Sequence, residues 1–407
     1  MAVPQNTLQE KILQTLAQQD GVLFARRAIV HRGGYNGRNI LGKNSSFKPE
    51  CVDDRGYVPV EWWVMSNTTA ENTIPKENEG LTKLLIDEEE IFLTDALAVA
   101  EQQLFGCYGN KWPLVKVLDI GGDLVETSFG TKEVPPIPCH VHAGEFKDGR
   151  CCMEDGKLEA YFMLPVDCPP YNIYLEKVIT RLGLKPQCSK EDLVKAMKQF
   201  GFDDSCYTLL RSYQVQPYDC WTIKPGMVHS PGPWPTLEVQ RPQDDANHLA
   251  WVLGYVEPDQ IKRSTKKSQE QLRGVPDEQG LLDHMVDFDG SRDPEFESRW
   301  RHKCLEISSG KWGRHFQIFF GEFYGEGMEI NSNSHWVREL DERPYMAIVW
   351  SGSGKIQGKL VSAEIDGTQE ILVTPGTKVT IENTDAVNKL LVYAVFPIRK
   401  DATNSLN

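Results

Sequence analysis

Nowhere does this 407-residue chain run for the roughly 18 to 20 consecutive apolar residues that a membrane-spanning helix needs. Its first twenty residues have neither the basic start nor the apolar core of a secretion signal. Positive charge is short as well. Forty-four Lys and Arg stand against 58 Asp and Glu, a net charge of −14, so binding to nucleic acid would work against the protein's own field. The ten cysteines contain no CxxC pair, and only Cys151 and Cys152 are adjacent. Without a secretion signal they read as reduced thiols in a cytoplasmic protein. No membrane and no nucleic-acid partner is therefore expected. What remains is 40% hydrophobic and 25% charged, an ordinary composition for a globular chain long enough for two or three domains. A monomer or homodimer is expected.

Against that background one constellation stands out. Residues 138–142 read Pro-Cys-His-Val-His, and on a strand the i and i+2 side chains share a face, so His140 and His142 aim together. Glu159 opens the apolar run Ala160 to Leu164, where an unpaired carboxylate would be costly without a cation. His229 closes a Pro225-Gly226-x-x-His turn. Three imidazoles and a carboxylate form an N/O donor set for one divalent metal, zinc first, with manganese, iron, nickel or cobalt as alternatives. Such a set is the ligand inventory of a cupin barrel. Glu145 competes with Glu159 for the carboxylate position, but it lies in the loop Ala143-Gly144-Glu145-Phe146, which suits a solvated side chain. Lys157 shares a face with Glu159 on an extended segment, and there it would serve proton transfer or steering of a substrate. Cys139 should point away from the ligands.

The rest of the chain reads as mainly β with helical interruptions. Leu8, Ile12, Leu13 and Leu16 keep helical spacing, and so do the apolar residues of 81–108. Within 171–200, Leu175, Val178, Ile179 and Leu182, then Leu193, Val194, Met197 and Phe200, suggest two helices. Trp112 to Ile120 reads as one strand. These signals predict two cupin (jelly-roll) barrels with a helical insertion. The first, metal-bearing barrel spans 1–170 and 201–257, with a helical part at 81–108. The insertion spans 171–200, a solvated linker 258–299, and a second, metal-free barrel 300–407, whose Pro375-Gly376 turn runs into Lys378 rather than a histidine.

Several segments carry a family likeness. Glu61-Trp62-Trp63 leads to Ser66; Trp112-Pro113-Leu114-Val115-Lys116-Val117-Leu118 precedes His140-Val141-His142; Lys157-Leu158-Glu159 follows; and Glu238 lies nine residues after His229. Together they resemble the type I phosphomannose isomerase family over most of the first 250 residues. The resemblance implies a zinc-dependent aldose–ketose isomerase, and Asp244 falls on the family's aspartate. The chain departs from the family at three positions. His140 stands for a ligand Gln, Pro138 for a Ser, and His248 for an Arg implicated in handling the sugar. Lost hydroxyl and guanidinium groups weaken the case for a phosphorylated substrate.

The chemistry expected is transfer of a proton between C1 and C2 of a hexose or hexose phosphate through a cis-enediolate. Lys157 is the first candidate for the shuttle, with Asp244 and His248 assisting ring opening or exchange between O1 and O2. Two other classes fit the same residues. One is a cupin Fe(II) dioxygenase using His140, His142, Glu159 and His229, and the other a non-catalytic double-cupin binding protein.

Overall fold

The computed structural model describes residues 5–33, 36–37, 52–72, 74–121, 124–127, 130–133, 137–144, 146–147, 150–151, 155–171, 178–199, 205–244, 246–249 and 278–399. Antiparallel strands dominate, as expected of a mainly β chain. One sheet has seven strands in the order Ala28–Arg32, Val58–Val64, Leu114–Leu118, Thr236–Gln240, Glu159–Met163, Asp219–Ile223 and Arg301–Lys303. Strict alternation gives it two chemically different faces. Trp62, Val64, Val115, Val117, Ala160, Phe162, Leu237 and Val239 turn to one side, into a large apolar core. Their neighbours Glu61, Lys116, Glu159, Tyr161 and Glu238 turn to the other. That polar face meets a five-stranded sheet ordered Leu210–Gln214, Ile179–Leu184, His229–Ser230, His140–Val141 and Asn247–His248. The two sheets form the first barrel.

The apolar face is shared. Its core also takes Phe316, Ile348, Leu372, Tyr393 and Val395, which belong to a nine-stranded sheet built largely from the C-terminal part of the chain. A four-stranded sheet (Ser334–Asp341, Thr377–Asn383, Ser353–Ile356, Lys359–Ser362) completes the second barrel. Aliphatic and aromatic side chains fill this barrel, among them Val22, Phe24, Val349, Val379, Ile381 and Val392.

The N-terminal segment crosses the boundary drawn between the barrels at sequence level. Val22–Arg26 pairs with Glu370–Val373, with Leu23 opposite Leu372. The reason is visible in Val22-Leu23-Phe24-Ala25. Leu23 and Ala25 enter the shared core while Val22 and Phe24 enter the second barrel, so this strand needs cover on both faces.

Other expectations change as well. The span 81–108 is helical only over Leu93–Phe105; before it come strands Lys83–Ile86 and Glu89–Phe92. Asp87 and Glu88 take φ of 48° and 66° between them, a primed two-residue turn that lacks the usual Asn-Gly signal. In 171–200, Lys190–Gln199 is a helix, but Ile179–Leu184 is a strand in the five-stranded sheet. Burial of Val178, Thr180, Leu182 and Leu184 follows period two rather than 3.6. Trp112 to Ile120 is shorter than expected, with its strand limited to Leu114–Leu118. In the linker, 278–300 forms three short helices whose apolar residues pack against the five-stranded sheet; 250–277 lies outside the described residues. The N-terminal helix spans Gln5–Gln18. Among the described residues no helix is long and apolar enough to cross a membrane.

Candidate metal centre

The site begins as one rung of the five-stranded sheet. His140 lies directly opposite His229 on one side and His248 on the other, so three histidines stand side by side across adjacent strands. His142 follows two residues along on the same chain. The turn before His229 is fixed to it, since Gly226, at φ 79°, donates its N–H to the His142 carbonyl at 3.1 Å. Gly156 lets a third segment close in, because a Cβ there would lie 2.6 Å from both the His142 oxygen and Pro225 Cβ. From outside, Ser291 Oγ accepts the Val228 N–H at 3.1 Å, and Gly226 O accepts the Asp287 N–H at 2.9 Å.

The rings are oriented by their own backbone. His140 Nδ1 lies 2.8 Å from Pro138 O, and His229 Nδ1 lies 2.8 Å from Met227 O. A carbonyl only accepts, so each Nδ1 carries the proton and each Nε2 keeps its lone pair. Ligand atoms of His140, His142 and His229 lie within 4.8 Å of one another. Glu159, from the facing sheet, brings Oε1 to 3.1 Å from His229 Nε2 and Oε2 to 3.4 Å from His142 Nε2. Tyr161 donates its hydroxyl to Glu159 Oε1.

The Nε2 atoms of His142 and His229 are buried and have no hydrogen-bond partner, and they face Glu159, whose Oε2 is held by the Lys157 ammonium. Buried polar atoms are almost always paired, so orphaned donors converging on one spot fit a cation. Burial, with neighbouring His229 and His142, holds the His140 pKa well below its ordinary value. Burial and the Lys157 ammonium bring His142 down to about 4. Both are therefore neutral, as metal ligands must be. Burial alone would raise the Glu159 carboxyl, but Lys157 and His142 outweigh it and keep it ionised. Glu145, the rival carboxylate, lies outside the described residues.

A file of buried charges leads away from the donors. Lys157 Nζ is 2.8 Å from Glu159 Oε2 and 3.5 Å from Glu238 Oε1. Glu238 sits in register between Tyr161 and Lys116. Burial pushes its carboxyl up to about 7, with Lys157 opposing. Beyond it, Lys116 Nζ is 3.1 Å from Asp244 Oδ1 and 3.6 Å from Glu61 Oε2. Arg32 joins the same two carboxylates at 2.9 and 3.0 Å, and the Trp63 indole N–H donates to Glu61 at 2.6 Å.

The sequence-derived candidates thus divide. His140, His142, Glu159, His229 and Lys157 come together. His248 lies beside His140, ring centroids 5.3 Å apart, but outside the group of close donors. Burial, with His142 and His229, lowers it to about 3. Asp244 is held by Arg32, Lys116 and the Glu71 N–H. Burial would raise it, but the two cations bring it to about 2, the setting of an anchor rather than a proton carrier. Sequence reasoning missed Arg32, whose partner Asp244 is 212 residues away, and gave Tyr161 and Glu61 no role. The outward–inward alternation of their strands was the available signal.

A second close group, His31, Asp53 and Glu79, is an ion-pair cluster. Arg55 binds Asp53 at 2.7 Å and Glu79 at 2.6 Å.

No family model matches the chain, and no curated protein matches it by sequence. Solved structures share its fold. A protein described as a putative mannosephosphate isomerase from Archaeoglobus fulgidus aligns with a TM-score of 0.58 at 15% identity, over 92% of this chain and 97% of that one. Mannose 6-phosphate isomerase from Bacillus subtilis aligns at 0.57 and 17% identity, covering 92% and 99%. A mannose 6-phosphate isomerase bound with zinc and yttrium aligns at 0.58 and 10% identity, covering 93% and 99%.

Proposed function

We propose that this protein is a metal-dependent aldose–ketose isomerase acting on a small hexose or hexose phosphate. The observation that carries the reading is the pair of orphaned buried nitrogens on His142 and His229 facing Glu159, with a lysine 2.8 Å from that carboxylate. The fold shared with solved mannose 6-phosphate isomerases, one of them holding zinc, supports the choice of chemistry.

His140, His142, Glu159 and His229 would hold the ion, zinc being the first candidate for this borderline donor set. A divalent cation there supplies Lewis-acid stabilisation of oxyanion charge at the substrate's carbonyl end. The chain's own groups do the rest. Isomerisation removes the proton on the carbon beside the carbonyl and returns one to the neighbouring carbon. Lys157 is the shuttle, and Glu238, whose carboxyl lies at about 7, takes up or supplies the proton that Lys157 exchanges. Tyr161 fixes Glu159 Oε1 by its hydroxyl. Asp244 positions Lys116 and Arg32, and the exchange role expected of it passes to Glu238. His248 packs as a neutral imidazole against His140. The apolar, aliphatic interior of the second barrel suits a structural role.

The test is metal analysis of protein purified without chelator, followed by a screen of free hexoses, pentoses and their phosphates. Close to one transition-metal ion per chain and aldose–ketose interconversion are expected. Oxygen uptake on another substrate, with no sugar isomerised, would replace this reading by the Fe(II) oxygenase.

A further inference from the structure

The charges lining the first barrel are of both signs and closely matched, and this bears on what can enter. Among the described residues its interior carries three cations, Arg32, Lys116 and Lys157, and four carboxyl groups, Glu61, Asp244, Glu159 and Glu238. Each cation touches two carboxylates. Lys157 lies between Glu159 and Glu238, and Lys116 and Arg32 each lie between Glu61 and Asp244. Arg241, next in sequence to Gln240 at the edge of this face, is taken by Glu322 at 2.8 Å. These pairs are nearly dry, with Lys116 and Lys157 side chains only 5% and 8% exposed. A ligand that claims one of the cations leaves a carboxylate behind without its partner.

We propose that the site selects an uncharged sugar over its phosphate ester. This rests on the isomerase reading of the same site. Among the described residues a phosphate dianion in the barrel would face four carboxyl groups and three cations, and it could bind Arg32 or one of these lysines only by breaking a buried pair. A divalent ion held by the histidines would add its positive charge at the carbonyl end of the substrate, away from a phosphate at the other end. Neutral hydroxyls fit the same walls. They donate to Glu238 and Asp244 and accept from Lys157 and Lys116 without separating any pair.

Two measurements on the metal-loaded full chain decide the matter. In steady-state assays, kcat/KM for a free hexose or pentose should exceed that for its phosphate by about tenfold or more, 1.4 kcal/mol. A phosphate ester turned over faster overturns the proposal. Calorimetric binding of mannitol and mannitol 6-phosphate, which cannot isomerise, separates this inference from the isomerase reading. If no sugar is turned over but mannitol binds at least tenfold tighter, the selectivity stands and the isomerase reading falls. Tighter binding of the phosphate, or no binding of mannitol, overturns the selectivity. Asp244→Asn keeps the shape and the bond from the Glu71 N–H while removing one negative charge. It should shift the mannitol-to-phosphate affinity ratio toward phosphate by about tenfold with metal content unchanged. An unmoved ratio refutes the charge argument.

Discussion

Glu370 offers a quantitative test of the shared wall between the barrels. It is fully buried on the strand that pairs with Val22–Arg26, and among the described residues no cation pairs with it. Its carboxyl accepts the Trp62 indole N–H at 2.6 Å, the Met65 backbone N–H and the Thr82 hydroxyl at 3.2 Å. These three donors favour the ionised form, yet burial wins and pushes the carboxyl up to about 8 from an ordinary 4.5. Between those values the folded state binds a proton that the unfolded chain has released, so stability falls as pH rises through that window and levels off above it. From pH 5.5 to 8.5 the loss from this one group is on the order of 3 kcal/mol. Glu370→Gln removes the titration while keeping an oxygen for the donors. Denaturant unfolding of both proteins at pH 5.5, 7 and 8.5 should show the substituted protein gaining about 3 kcal/mol relative to wild type across that range. Parallel pH profiles would mean that Glu370 is already ionised in the fold at pH 5.5, and that its three donors outweigh burial.

The remaining predictions concern the site. Gly156→Ala should cost about 1–3 kcal/mol in unfolding experiments and lower metal occupancy, because the new Cβ meets the His142 carbonyl and Pro225 at 2.6 Å. Lys157→Met should lower kcat/KM about a hundredfold to ten-thousandfold with metal content unchanged, as for a lost proton shuttle; loss of metal instead would make Lys157 a support for Glu159. Divalent metal at about a hundred times its Kd should stabilise the wild type by about 2.7 kcal/mol, read as a shift in denaturation midpoint. His229→Ala should erase that shift, and an unchanged shift would remove His229 from the ligand set.

The donor set was legible because it depends on local rules. A spacing of two on a strand and a Pro-Gly turn ahead of a histidine are visible in a few residues. Glu159 was legible as a buried carboxylate because it opens an apolar run. Pairing was not. Val22–Arg26 finds its partner nearly 350 residues later, and nothing in those five residues names that partner. Ile179–Leu184 was misread because Leu175, Val178, Ile179 and Leu182 satisfy helical spacing. Counting Thr180 as polar hid the alternation that the sheet uses, although Thr180 is buried. Asp244 was read from the family likeness as an aid to ring opening or exchange between O1 and O2. Its fate is set by Arg32 and Lys116, both more than a hundred residues upstream, and a carboxylate's role depends on which cations reach it.

The same alternation that builds the wall also makes the site rigid. Along Glu159–Met163, Glu159 and Tyr161 enter the site while Ala160 and Phe162 enter the core shared by both barrels. Along Thr236–Gln240, Glu238 lies between Leu237 and Val239 of that core. Lys116 likewise lies between Val115 and Val117. No group in the charged file can shift along its strand without dragging a packed apolar neighbour out of register, because a slip of one residue would exchange the two faces. Orphaned donors and closely opposed charges are costly, of the order of 1–3 kcal/mol for each unpaired buried group. They persist where surrounding packing over-determines them. The second barrel supplies that packing, and so it helps fix the geometry of the site in the first through the apolar core they share.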